Sequence, residues 1–260
     1  MLYYPNALSP IAFVVLSTQR SGSTWLVDTL NSHPQVVAYS ELFLQDGRGR
    51  PRWGGACDVE FWNTFAARRR ALFAGGDRSA RMREYLEYVL NRSGAAAVGF
   101  KLMYGQAGEY PELVPILAER EGRILHLVRQ NALDVVLSRE TAWARRQYHA
   151  RHGESVSELR LHLEPGDVIE KIRNYLREMK RGYALVARSG LPTLEVSYED
   201  LCSGTTSFAA LLAFLGVGAN DIPLASTLQK LNPPERRRIL ENYDEVAAAM
   251  DASGLGHLLA

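Results

Sequence analysis

The stretch Ile11-Ala12-Phe13-Val14-Val15-Leu16, running through Ser17-Thr18-Gln19-Arg20-Ser21-Gly22-Ser23-Thr24 into Trp25-Leu26-Val27-Asp28-Thr29-Leu30, decides the fold. Its first part is a short, unbroken apolar run, the pattern of a strand buried on both faces. Its last part sets large apolar residues at helical spacing and stops near His33-Pro34, where proline closes a helix. Strand, loop and helix in that order open an α/β sheet. No basic residue precedes the apolar run and no A-x-A pattern follows it, so it reads as a strand and not as the core of a secretory signal.

Further short apolar runs at 36–39, 96–102, 123–128 and 193–197 predict four more strands. Helical patterns fill the intervals at 79–92, 132–150, 167–188, 206–215 and 234–250. This alternation predicts a doubly wound α/β fold, a central, mostly parallel sheet flanked by helices. A chain of 260 residues suits one domain spanning 1–260. Two stretches, 45–56 with its glycines and Pro51 and 151–166 with mixed charge, break the patterns and predict long loops that shape a binding site.

Thirty basic residues balance twenty-nine acidic ones, so the chain as a whole is no polyelectrolyte for nucleic acid or membrane, and any anion site must be local. No apolar run approaches the ~18 residues of a membrane-spanning helix. Cys57 and Cys202 fit neither a disulfide framework nor a zinc-ligand spacing and suit a reducing, cytoplasmic compartment.

In Gln19-Arg20-Ser21-Gly22-Ser23-Thr24-Trp25, Gly22 permits a tight turn and the next residues open a helix, so backbone N–H groups converge on one point that attracts an anion. Ser23 and Thr24 add hydroxyl donors, and Arg20 brings a planar cation matched to phosphate or sulfate oxygens. The competing reading is a serine-capped helix beside an incidental arginine. A magnesium-triphosphate loop is disfavoured, because G-x-x-x-x-G-K-[ST] is absent and no lysine precedes Ser23 or Thr24.

Arg129 ends the strand at 123–128, where ligands of open α/β sheets bind, and Ser138 lies in the helix that follows, with Asn131 as its N-cap. The alternatives are a surface ion pair for Arg129 and a solvated or back-bonded serine. Glu41, just past the strand at 36–39, stands on the same rim as Arg20, where a carboxylate can accept a hydroxyl proton or pair with an arginine. Lys101 ends the strand at 96–102, and a charge there needs a partner. His126 falls inside a buried strand and reads as a satisfied core residue. His149 and His152 lie close to the Arg145-Arg146 pair, as acceptor-site candidates or as a solvated helix end. Arg236-Arg237-Arg238, after Asn232-Pro233-Pro234, reads as a solvated basic face.

The string Gln19-Arg20-Ser21-Gly22-Ser23-Thr24-Trp25-Leu26, followed by Asn31-Ser32-His33-Pro34, resembles the 5′-phosphosulfate-binding loop of the sulfotransferase family. Arginine before Ser-Gly-Ser-Thr is similar to bacterial carbohydrate sulfotransferases of the trehalose and nodulation-factor types. The resemblance implies a P-loop-like three-layer fold. It also implies an enzyme that moves the sulfuryl group of 3′-phosphoadenosine 5′-phosphosulfate to a hydroxyl of a small-molecule or glycoconjugate acceptor, releasing 3′-phosphoadenosine 5′-phosphate, with no metal. By the same resemblance Arg20, Ser21, Gly22, Ser23, Thr24 and Trp25 hold the 5′-phosphosulfate, and Arg129 and Ser138 the 3′-phosphate. Glu41 is then the general base, Arg20 a catalytic cation, and Lys101 a contact of the acceptor or a support for Glu41. The loop at 230–238 implies a cover over the nucleotide, and Tyr198-Glu199-Asp200-Leu201 a structural element. The rival activities are a P-loop-type small-molecule kinase and a nucleotide- or glycan-binding module without turnover.

Overall fold

The computed structural model describes residues 9–47, 56–69, 77–218 and 222–259, so most of the expected loop at 45–56 lies outside the described residues. The chain divides into two compact units, one formed by Met1–Val128 with Ala184–Ser226 and the other by Arg129–Tyr183 with Thr227–Ala260.

Among the described residues the first unit holds five strands: β1 (Ile11–Ser17), β2 (Val36–Glu41), β3 (Ala97–Met103), β4 (Arg123–Val128) and β5 (Thr193–Ser197). They form one wholly parallel sheet in the order β2-β3-β1-β4-β5. β1 is central, with β2 and β3 on one side and β4 and β5 on the other, so the loop after β1 lies at the switch point where open α/β sheets bind ligands. β1 and β3 are buried almost throughout, which explains their unbroken apolar runs.

Helices cover both faces of this sheet. On one face Leu26, Val27 and Leu30 of α1 (Ser23–Leu30) pack with Phe13, Val15 and Ala97 of the strands. Leu201 of α8 (Tyr198–Ser203) and Leu211 and Leu212 of α9 (Phe208–Phe214) join the same core. On the other face Phe43 sits among the rings of Phe100, Trp62, Tyr85 and Tyr110. This aromatic core gathers α2 (Trp62–Arg69) and α3 (Arg78–Leu90), with α4 (Tyr104–Glu109) and α5 (Leu113–Ala118) following β3. The short helices α2, α4, α5 and α8 are absent from the sequence expectation, since six to eight residues give too few turns for a periodic signal.

In the second unit α6 (Ala132–Arg145) is shorter than expected, because Arg146 turns left-handed at φ 53° and caps it. α7 (Pro165–Ser189), which lies in this unit as far as Tyr183, has the expected long amphipathic face, with Val168, Ile172, Tyr175 and Met179 buried. The helix expected over 234–250 is split: residues 236–238 make a single 3-10 turn, and α10 runs from Tyr243 to Ala252. Pro233 and Pro234 disfavour a helix at that start. The chain after them instead bridges the 151–166 loop. Leu161 N–H donates to Ile239 O at 2.7 Å, Glu241 N–H donates to Leu161 O at 2.9 Å, and the Asn242 amide bonds both backbone groups of Leu163.

Candidate active site

The loop leaving β1 is tied down by its own hydroxyl, with Ser21 Oγ donating to Thr18 O at 2.8 Å. Arg20 and Gly22 both take left-handed backbone, at φ 64° and 90°. At Gly22 glycine is required twice over, since a Cβ there would lie 2.2 Å from the Tyr198 ring. Gly22 is the N-cap of α1, no side chain caps it, and the first turn carries no acidic residue. The first-turn N–H groups, which have no intrahelical acceptor, therefore face outward with a favourable helix dipole behind them. Such a turn is chemically suited to an anion. Trp25, half-buried, packs its ring edge-on against Tyr198 and Phe208, each at 5.8 Å between centroids.

One side-chain chain runs from this loop to Glu41. Lys101, 5% exposed, stands in register with Glu41 across a β-bulge between β2 and β3. Its ammonium donates to Thr24 Oγ1 at 2.8 Å and lies 3.0 Å from Glu41 Oε1. The other carboxylate oxygen, Oε2, accepts from Gln106 Nε2 at 3.0 Å, and Gln106 Oε1 accepts the Met103 N–H at 3.0 Å. A lone buried ammonium is costly, and this arrangement gives it both a countercharge and a hydroxyl acceptor. Among the described residues the ion-pair partner of Glu41 is this lysine. Each carboxylate oxygen keeps a lone pair beyond its present bond, so a hydroxyl proton can still be received. Gln106 was not singled out by sequence; as the third residue of a helix at a strand end it is a capping-box glutamine, but Met103 as the N-cap hides that signal.

His126 is fully buried and paired at both ring nitrogens, as expected of a satisfied core residue. Nδ1 lies 3.0 Å from Glu195 Oε2 and Nε2 lies 2.7 Å from Tyr104 Oη. Desolvation pushes its pKa below the ordinary histidine value, with the Glu195 hydrogen bond opposing. The ring is therefore neutral at pH 7, with Nδ1–H donating to the carboxylate and the tyrosine hydroxyl donating to Nε2.

In the second unit Asn131 caps α6, accepting from the Asp134 N–H at 3.1 Å while its amide donates to Leu258 O at 2.9 Å. Asp134 then collects two arginines: Arg236 Nε donates to Oδ1 at 2.8 Å, and Arg129 Nη2 lies 3.7 Å from Oδ2. Tyr175 Oη holds the Arg129 carbonyl at 2.5 Å. Ser138, one turn beyond Asp134, falls on the same face of α6. Two guanidinium groups around one carboxylate leave an excess positive charge that suits a phosphate. The basic run is thus resolved into distinct roles, because Arg237 pairs with Asp244 and Arg238 with Glu158, while Arg236 turns to Asp134. The sequence signal could not separate three consecutive arginines. His149 is half-buried past the end of α6, and His152 is exposed with its backbone N–H donating to Thr227 O at 2.9 Å.

No family model matches the chain. The chain is 26% identical over 246 residues to Nodulation protein H of Rhizobium tropici, covering 92% of this chain and 88% of that protein. Solved structures that align with it include a sulfotransferase from Alicyclobacillus acidocaldarius, at TM-score 0.46 and 18% identity over 96% of this chain and 97% of that one. Another is the sulfotransferase domain of the Synechococcus PCC 7002 olefin synthase, at TM-score 0.44 and 17% identity over 90% of this chain and 85% of that one. The likeness to Nodulation protein H extends over nearly the whole chain.

Proposed function

We propose that this chain, 1–260 acting as one catalytic domain, is a cytoplasmic sulfotransferase that esterifies a hydroxyl of a carbohydrate, glycoconjugate or small metabolite. The observation that carries the reading is the Thr24–Lys101–Glu41 chain, which ties a proton acceptor to the loop that suits an anion. The donor, 3′-phosphoadenosine 5′-phosphosulfate, supplies the sulfuryl group. Arg20, Ser21, Gly22, Ser23, Thr24 and the first-turn amide of Trp25 hold its 5′-phosphosulfate, and Arg129 and Ser138 serve the 3′-phosphate, with Arg236 added to them on the strength of the shared Asp134.

Glu41 accepts the proton of the acceptor hydroxyl as that oxygen bonds to sulfur. Lys101 and the N–H groups of α1 offset negative charge collecting on the departing phosphate oxygen. The protein groups provide base, cations and donors, so the reading requires no metal. His149 and His152 are proposed as acceptor contacts, beside the 151–166 loop that carries His152. The test is incubation with donor labelled in its sulfate and a panel of saccharide and small-molecule alcohols. A labelled sulfate ester formed by the wild type and lost in Glu41→Gln supports the proposal, whereas phosphorylated product from magnesium ATP replaces it with a kinase.

A further inference from the structure

We propose that Glu195, His126 and Tyr104 form a positioning relay that holds Gln106 against Glu41, so that a half-exposed carboxylate on the sheet's edge strand controls the geometry of the base. This inference rests on the reading of Glu41 as general base. Tyr104, His126 and Glu195 touch no reacting atom and are positioning residues.

The relay begins on β5, where the Glu195 side chain is 48% exposed, and crosses to His126, its register partner on β4. Tyr104 follows β3, and β1 lies between β3 and β4, so the Tyr104–His126 hydrogen bond spans the carboxyl end of the strand from which the anion loop departs. The carboxylate fixes the imidazole tautomer by accepting from Nδ1–H, and this leaves Nε2 as a directed acceptor for the Tyr104 hydroxyl.

Tyr104 is the first residue of α4, and Gln106 is the third. A helix of six residues, Tyr104–Glu109, has little stability of its own and takes its position from its anchors. Gln106 spends its carbonyl on the Met103 N–H and its amide on Glu41, so it reports any rotation of the first turn directly to the carboxylate. Tyr104 and Gln106 are both buried. A core that needed only to be filled would accept leucine at position 126, between Leu125 and Leu127. Burying an imidazole and a phenol with matched partners instead ties two strands and a short helix to one geometry.

The test uses the full chain with Tyr104→Phe, which removes one oxygen, with Glu195→Gln at the sheet edge as the second variant, and with Gln106→Ala alone and combined with Tyr104→Phe. In the sulfate-transfer assay Tyr104→Phe and Gln106→Ala each lower kcat about tenfold with donor KM within about twofold, and the double variant falls no further than the worse single. Full kcat in Tyr104→Phe, or strictly additive losses in the double variant, overturns the relay. A ligand-free readout keeps the two proposals apart. The chain has four lysines, Lys101, Lys171, Lys180 and Lys230, so the Lys101 ammonium can be followed by 15N-lysine NMR and assigned with Lys101→Arg. Tyr104→Phe and Glu195→Gln should displace this signal in the direction given by Gln106→Ala. Displacement without any sulfate transfer by the wild type upholds the positioning and removes the assigned reaction. An unmoved Lys101 signal in both variants overturns the positioning while leaving the reaction intact.

Discussion

The Lys101 ammonium and the Glu41 carboxylate meet at 3.0 Å across adjacent parallel strands, with the lysine side chain only 6% exposed and the glutamate 22%. Their pairing links the loop after β1 to the tip of β2, and it makes the charge on either residue a condition for the other.

Glu41→Gln therefore leaves a buried ammonium facing an amide. We predict a kcat loss of ~10²–10⁴-fold with donor affinity nearly unchanged. Urea unfolding should also show a loss of stability that is smaller in the Glu41→Gln/Lys101→Met double variant, because removing both charges relieves the unpaired one. Equal stability of the single and double variants contradicts the pairing.

Gly22→Ala introduces a Cβ into the Tyr198 ring at a residue with φ 90°. Overpacking of this kind costs about 1–3 kcal/mol, and left-handed strain adds to it, so both stability and nucleotide affinity should fall. Tyr198→Ala in the same chain removes the clash but not the strain, and thermal melts should show partial recovery only.

In the second unit, Arg129→Ala and Arg236→Ala each delete a cation beside Asp134. Each charge-assisted phosphate contact is worth about 1.5–3 kcal/mol, so affinity for 3′-phosphoadenosine 5′-phosphate should drop about 10- to 100-fold. Affinity for 5′-AMP, which lacks the 3′-phosphate, should hardly change. Competition binding with the two nucleotides checks this, and equal losses for both remove the 3′-phosphate assignment.

His126 predicts a pH dependence of stability. Burial lowers its pKa in the folded chain below the ordinary 6.5. The unfolded chain then binds a proton that the folded one does not, so this contribution is fully present above pH 6.5 and is lost as pH falls through the lower folded value. Chemical denaturation between pH 7.5 and 5 should show a steeper acid-side loss in the wild type than in His126→Asn. Parallel curves contradict the buried, neutral imidazole.

The strands and the turn into α1 were legible because their signals are local: an apolar run buried on both faces, then Gly22 and the helix start. Glu41, Lys101 and Arg129 could be placed at strand ends by the same pattern. What joins them is not local. Lys101 finds Glu41 only through the β2–β3 register and its bulge, and Gln106 enters through a six-residue helix with no periodic signature. Arg236 is separated from its two arginine neighbours only by the carboxylates that each one meets. The 234–250 pattern misled because two prolines and the bridge to Leu161 replaced the first turns of the expected helix.

Calorimetric titration reads the proposed site for a nucleotide with phosphates at both the 5′ and 3′ positions. We predict that 3′-phosphoadenosine 5′-phosphate binds the purified chain selectively over 5′-AMP and magnesium ATP, with the affinity weakened in Arg20→Ala. Failure of the bisphosphate to bind, or a preference for magnesium ATP, contradicts it.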